Sequence, residues 1–298
     1  MKRTLATVFV LFVFASAIAV VFVFYRKSPS DERLKVAATL MPLESIVREI
    51  AGERIGTVLM VPPGQSPHTF DPDPGTLRDI SEAEIIFKIG LIDDWASSLS
   101  RSSGVEEFFV GEGVDIMTPE EVIVIGEEEE EEDGDPHYWL SIKNGKMIAR
   151  NVAEKLSEID PGGREYYENN LDDFIGRADE ADIEIKNILA DIPVRKMITF
   201  HDAWGYFAKD YDLEIVAVYQ PSPGKDPLPM DVKSLVDEAR LNGINAFFSE
   251  VQYSPAPLMS IGESEGITVI ALDPLGERWS YLESLIDNAE KIKEGLSL

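Results

Sequence analysis

The residue types of this chain favour metal-ion chemistry above any other. It has 3 His and no Cys in 298 residues, and all three histidines, His68, His137 and His201, stand in loops that follow apolar runs. A lone histidine is more often a hydrogen-bonded core or surface residue than a ligand. Three of three in such places point to shared use. Without cysteine, imidazole and carboxylate are the strong ligands that remain, and neutral imidazoles with a carboxylate suit a borderline-soft cation such as zinc.

Each of these residues has an element to deliver it. The run Met197 to Phe200 reads as a buried strand, and Asp202 to Ala208 as a cap residue followed by helix-spaced apolar positions. His201 therefore ends a strand at the sheet edge where α/β folds bind ligands. Asp273 follows the strand Ile267 to Leu272 in the same way, its competing role being a turn carboxylate that bonds its own backbone. His68 lies in the proline-rich loop 61–72, which is stiff. Three imidazoles plus Asp273 make a four-ligand site of zinc type. Glu250, at the end of the strand Ala246 to Ser249, is placed either to accept an imidazole N–H or to form a loop salt bridge. Affinity for the ion is expected to fall steeply as pH drops through about 6.5, where free imidazoles take up protons.

Strands and helices alternate along the chain with connections too long for hairpins, which implies parallel strands. Between the two alternating halves, Arg164 to Ala190 reads as one long amphipathic helix. The fold class expected is α/β: two (β/α) lobes with parallel sheets joined by one long helix, with the metal in the interlobe cleft. Residues 34–161 form the N-terminal lobe, 164–190 the linking helix and 196–298 the C-terminal lobe. The first two ligands come from one lobe and the last two from the other, so an ion would tie them together. Within the first lobe the acidic tract 127–135 cannot bury itself and reads as a mobile loop: a solubilising segment or a weak collector of cations.

Lys2 and Arg3 precede an apolar run from Leu5 to Phe24. Residues 1–27 are a signal peptide or an N-terminal membrane anchor, and the run, at about 20 residues, is long enough to span a bilayer. An uncleaved anchor is the favoured alternative, which places the acidic domain outside the cytoplasmic membrane. The formal net charge of −28 repels phosphate backbones, so nucleic acid is excluded as a partner and cations are favoured.

Taken together, Gly64 to Pro72, His137 to Leu140, Phe200 to Phe207, Phe248 to Gln252 and Leu272 to Gly276 resemble the zinc and manganese substrate-binding proteins of ATP-binding-cassette importers. The resemblance spans about Leu34 to the C-terminus. It implies that His68, His137, His201 and Asp273 are metal ligands, that a rigid helix bridges the lobes, and that the protein delivers a divalent ion to a membrane permease; a monomer is expected. Manganese members of that family generally carry a carboxylate at the position matching His201, so histidine there implies Zn2+, with Mn2+ or iron as the alternative. Two departures stand out. Zinc members commonly have a histidine-rich insertion where this chain has its acidic tract, and many members are tethered by a lipidated cysteine, which is absent here. The competing enzyme reading is a metal-dependent hydrolase, since His137, His201-Asp202 and Asp273 imitate an H, HD, D ligand order. An acidic surface adhesin or spacer without a metal site is the third reading.

Overall fold

A computed structural model describes residues 33–118, 134–219 and 229–298. The apolar segment 5–24, most of the acidic tract and the expected extended piece 122–125 lie outside the described residues.

The first half runs β1 (Leu34–Ala38), α1 (Met41–Ala51), β2 (Ile55–Leu59), α2 (Pro74–Ile80), β3 (Ile85–Lys88), α3 (Trp95–Ser103), β4 (Glu106–Phe109) and α4 (Ile142–Ile159). Its four strands form a sheet in the order β2-β1-β3-β4, and β3 pairs in parallel with both β1 and β4. The second half contains β5 (Lys196–Thr199), α6 (Gly205–Asp210), β6 (Glu214–Val218), α7 (Pro229–Asn242), β7 (Ala246–Glu250), α8 (Ala256–Glu265), β8 (Thr268–Leu272) and α9 (Tyr281–Leu296). Its sheet repeats the same order, β6-β5-β7-β8, with parallel pairing throughout. β5 and β7 are almost wholly buried, as strands covered on both faces must be. The α/β class with two parallel sheets, expected from the alternation of elements, is therefore what the chain adopts.

The 25-residue helix α5 (Arg164–Ile188) lies between these halves in sequence. It buries a narrow stripe, Tyr167, Phe174, Ala178, Ala181 and Ile185, and packs against α4, α1 and α9. Thus it touches helices of both lobes along its length. Contacts gather residues 35–298 into a single unit.

α9, which follows the last strand, is an element that the β/α alternation does not announce. Its start is fixed by a capping box in which the Ser280 hydroxyl and the Glu283 side chain each serve the other's backbone N–H. Leu282, Leu285, Ala289, Ile292 and Leu296 form its buried face. Tyr281, at its first turn, reaches the N-terminal lobe. Its N–H donates to Ser45 Oγ at 3.0 Å, and its hydroxyl lies 2.6 Å from the carbonyl of Trp139 and 3.1 Å from that of Ser141.

Candidate metal centre

The loop after β2 folds into a short 3-10 turn, Pro67–Thr69, that carries His68. His137 immediately precedes a second such turn, Tyr138–Leu140, whose three side chains are fully buried. His201 follows β5 by two residues, and Glu250 is the last residue of β7. All three imidazoles come together: one nitrogen of each lies within 4.8 Å of the others. His68 Nε2 and His137 Nε2 are 3.1 Å apart, and ring centroids are separated by 4.9–5.2 Å. Tetrahedral zinc with Zn–N bonds of about 2.0–2.1 Å sets its ligand nitrogens roughly 3.3 Å apart. The first pair already has that spacing.

Two carboxylates, Glu250 buried and Asp135 half-buried, orient the rings. Asp135 Oδ1 accepts the His137 backbone N–H at 2.8 Å and lies 2.8 Å from His137 Nδ1. Glu250 Oε2 lies 3.3 Å from His201 Nδ1, while its other oxygen accepts the Trp204 indole N–H at 3.1 Å. A carboxylate at Nδ1 holds the proton on that nitrogen and leaves Nε2 bare for a cation. Glu250 thus sits where the sequence suggested an imidazole acceptor. Asp135 is the residue the sequence concealed. It closes the acidic tract 127–135, which reads as uniformly solvated, yet its side chain is largely buried. The one available signal was its spacing of two residues before His137.

Asp273 does not join the cluster of three. Its Oδ1 accepts N–H bonds from Leu275 at 3.1 Å and Gly276 at 2.8 Å, as well as from the Gln252 amide at 3.3 Å. Its Oδ2 accepts the Glu277 N–H at 2.7 Å. Such a turn explains the placement: Gly276 takes φ +69°, which favours glycine, and the next three N–H groups close on the carboxylate. Asn288 of α9 brackets the same residue, donating to its carbonyl and accepting its N–H, both at 2.8 Å.

Burial is the main electrostatic force on the rings. It lowers His68 to about 2, helped by the neighbouring His137 and His201, and it holds His137 well below its ordinary value. For His201 burial is again the largest influence and acts downward, but the charge and hydrogen bond of Glu250, with Asp202 and Asp135, outweigh it and raise the imidazole. Burial pushes the Asp135 carboxyl up to about 7 against the pull of His137 and His201. Two of the three rings are thus kept neutral, ready to donate lone pairs, while His201 beside Glu250 is the ring whose protonated form is favoured.

Two parallel sheets, a long helix packed on both halves and a convergent imidazole cluster define a two-lobed binding protein. The chain belongs to the ZnuA family, described as zinc-uptake complex component A, periplasmic, whose model matches residues 36–295. The Streptococcus mitis protein described as manganese ABC transporter substrate-binding lipoprotein PsaA is 30% identical over 313 residues, covering 99% of each chain. Among solved structures, one described as the crystal structure of ZnuA superposes with a TM-score of 0.80 at 31% identity, covering 89% of this chain and 100% of that one. A zinc-bound ZnuA deletion mutant gives a TM-score of 0.79 at 30% identity, covering 90% and 99%. No helix among the described residues is long and apolar enough to cross a membrane.

Proposed function

We propose that this chain captures one divalent metal ion, zinc by preference, between its lobes and delivers it to the membrane permease of an ABC importer on the outer side of the cytoplasmic membrane. The observation that carries this is the convergence of His68, His137 and His201 from two lobes, the last two each backed by a carboxylate at Nδ1. The ion's core ligands are these three imidazoles. Asp273 supplies the fourth by giving up part of its N–H set, and Glu250 remains a support for His201. Imidazole ligands favour zinc over manganese, which takes more oxygen. The zinc-bound ZnuA relative supports that choice, while the manganese description of the S. mitis protein makes manganese the competing cargo. Carriage rather than hydrolysis is supported by the family, whose members are described as an uptake-complex component and as transporter substrate-binding proteins. With no cysteine to carry a lipid, the membrane attachment is assigned to residues 5–24, and the working unit is a monomer.

Elemental analysis and a competition titration of zinc against manganese test this. One zinc per chain that manganese cannot displace is expected, with His201→Glu shifting the preference toward manganese. Preferential manganese binding by the unaltered chain overturns the zinc assignment, and the absence of any tight stoichiometric metal overturns the function.

A further inference from the structure

We propose that Tyr206 is a positioning residue for His137, acting through Asp135; the inference rests on the metal-carrying function above. Tyr206 belongs to α6, five residues after His201, and is 4% exposed. Its hydroxyl oxygen accepts the Met117 backbone N–H at 2.8 Å, and its O–H donates to the Asp135 carbonyl at 3.1 Å. The Asp135 N–H in turn donates to the Met117 carbonyl at 2.8 Å. These three bonds knot together residue 117, on one side of the acidic tract, residue 135 on the other, and the turn that bears His201. Asp135, so held, turns its Oδ1 to the backbone N–H and the Nδ1 of His137, both at 2.8 Å.

The same segment of the C-terminal lobe therefore contributes one imidazole and grips the support of another that belongs to the N-terminal lobe. Gly205 shows how close the approach is. A Cβ at that position would lie 3.2 Å from Asp135 Oδ2 and 3.7 Å from the Met117 methyl, so a methyl group there would push the carboxylate by a few tenths of an ångström. A tyrosine kept merely for packing would need its ring alone. Here the hydroxyl has two partners, and both are backbone groups of the segments that carry Asp135. Holding Asp135 fixes the His137 tautomer with its proton on Nδ1 and its Nε2 bare toward His68 and His201.

The test is Tyr206→Phe in the full chain, read in two ways. Long-range 1H–15N correlation of the imidazoles, of which the chain has 3, reports the tautomer without any metal. A single Nδ1–H form of His137 is expected in the unaltered protein and a mixture in the variant. Zinc release, followed by chelator chase, is expected to accelerate with an affinity loss of about tenfold, the lower end for loss of an outer hydrogen-bonding partner. Gly205→Ala, which displaces the same carboxylate by a different route, is expected to mix the tautomers as well, and it decides alone if Tyr206→Phe does not fold. An unaltered tautomer in the folded variants overturns the proposal, as does an unaltered release rate from a chain that binds zinc. If the unaltered chain binds no zinc, the metal-carrying function fails, and the tautomer experiment still decides the role of Tyr206.

Discussion

His201 is the imidazole on which a proton competes most strongly with a metal ion. Burial keeps His68 and His137 neutral well below the pH at which free histidine titrates, whereas Glu250 and its acidic neighbours raise His201. Above the raised value His201 is neutral and competent; below it, a proton competes with the ion, so affinity falls as pH falls. Because the shift is upward, the fall begins above 6.5. Asp135, pushed up to about 7, can release a second proton when a cation binds nearby. The expected dependence is a loss of between one and two decades of affinity per pH unit, about one decade for each proton displaced, measured by chelator-buffered titration between pH 8 and 5.5. A slope near three would show that all three rings titrate together, as unburied histidines do. Among substitutions, each His→Ala is expected to cost more than Asp273→Ala. Binding energies of roughly 10–16 kcal/mol shared by four ligands give about 3 kcal/mol apiece, more than a hundredfold, whereas Asp273 must give up N–H bonds to reach the ion. Calorimetric titration of the four variants checks the ranking. The imidazoles were legible in the sequence because each is rare and follows an apolar run. What was not legible was the state of the carboxylates. Whether Asp273 faces an ion or its own turn is decided by backbone dihedrals at 274–277, and Asp135 is concealed among residues of its own charge.

The acidic tract holds two kinds of residue by position. Residues 127–133 are all acidic, and any pull they exert on a cation is screened beyond about 8 Å at physiological ionic strength, whereas Asp135 lies at His137. Deleting 127–133 is expected to slow zinc capture at low salt and leave the equilibrium affinity alone. Extending the deletion to 135 is expected to lower affinity by about 10–100-fold, the usual cost of losing a partner that orients a ligand. Stopped-flow capture and equilibrium titration on the two deletions separate these effects, and equal affinities would show that Asp135 is dispensable. α9 is the second element with an unannounced role. Its Tyr281 hydroxyl serves two carbonyls of the 137–141 segment, and its Asn288 holds the backbone of Asp273. Tyr281→Phe strips a buried donor from both carbonyls and is expected to cost about 1–3 kcal/mol of stability, read by urea denaturation. The alternation of strands and helices made the two sheets legible, since periodicity and turn residues are local. The docking of α9 is not local, and its amphipathic pattern says only that it has a buried face, not which lobe receives it.

At the scale of the whole molecule, the two sheets do not imply two independent unfolding events. Trp139 of the first lobe donates its indole N–H to the Pro274 carbonyl of the second at 2.8 Å, the Gly64 N–H donates to Glu277 at 2.8 Å, and the Tyr281 bonds cross the same boundary. A single cooperative thermal transition is expected for residues 35–298. Zinc at a thousand times its dissociation constant is expected to add about 4 kcal/mol and move that transition upward as one. Calorimetry showing two transitions, of which zinc shifts one, would make the lobes separate folding units. The Tyr281 contacts also bear on how the molecule comes into being. Its partners lie 236, 142 and 140 residues earlier in the chain, so these bonds close only after nearly everything else has been synthesised. Contacts of such separation close large loops and slow folding. A nascent chain crossing a membrane amino end first would carry its first lobe with the carbonyls of Trp139 and Ser141 still unserved by Tyr281 until the final helix arrives. Assembly of the imidazole cluster is then a late event, and a chain interrupted short of α9 would reach its destination without an organised place for the ion.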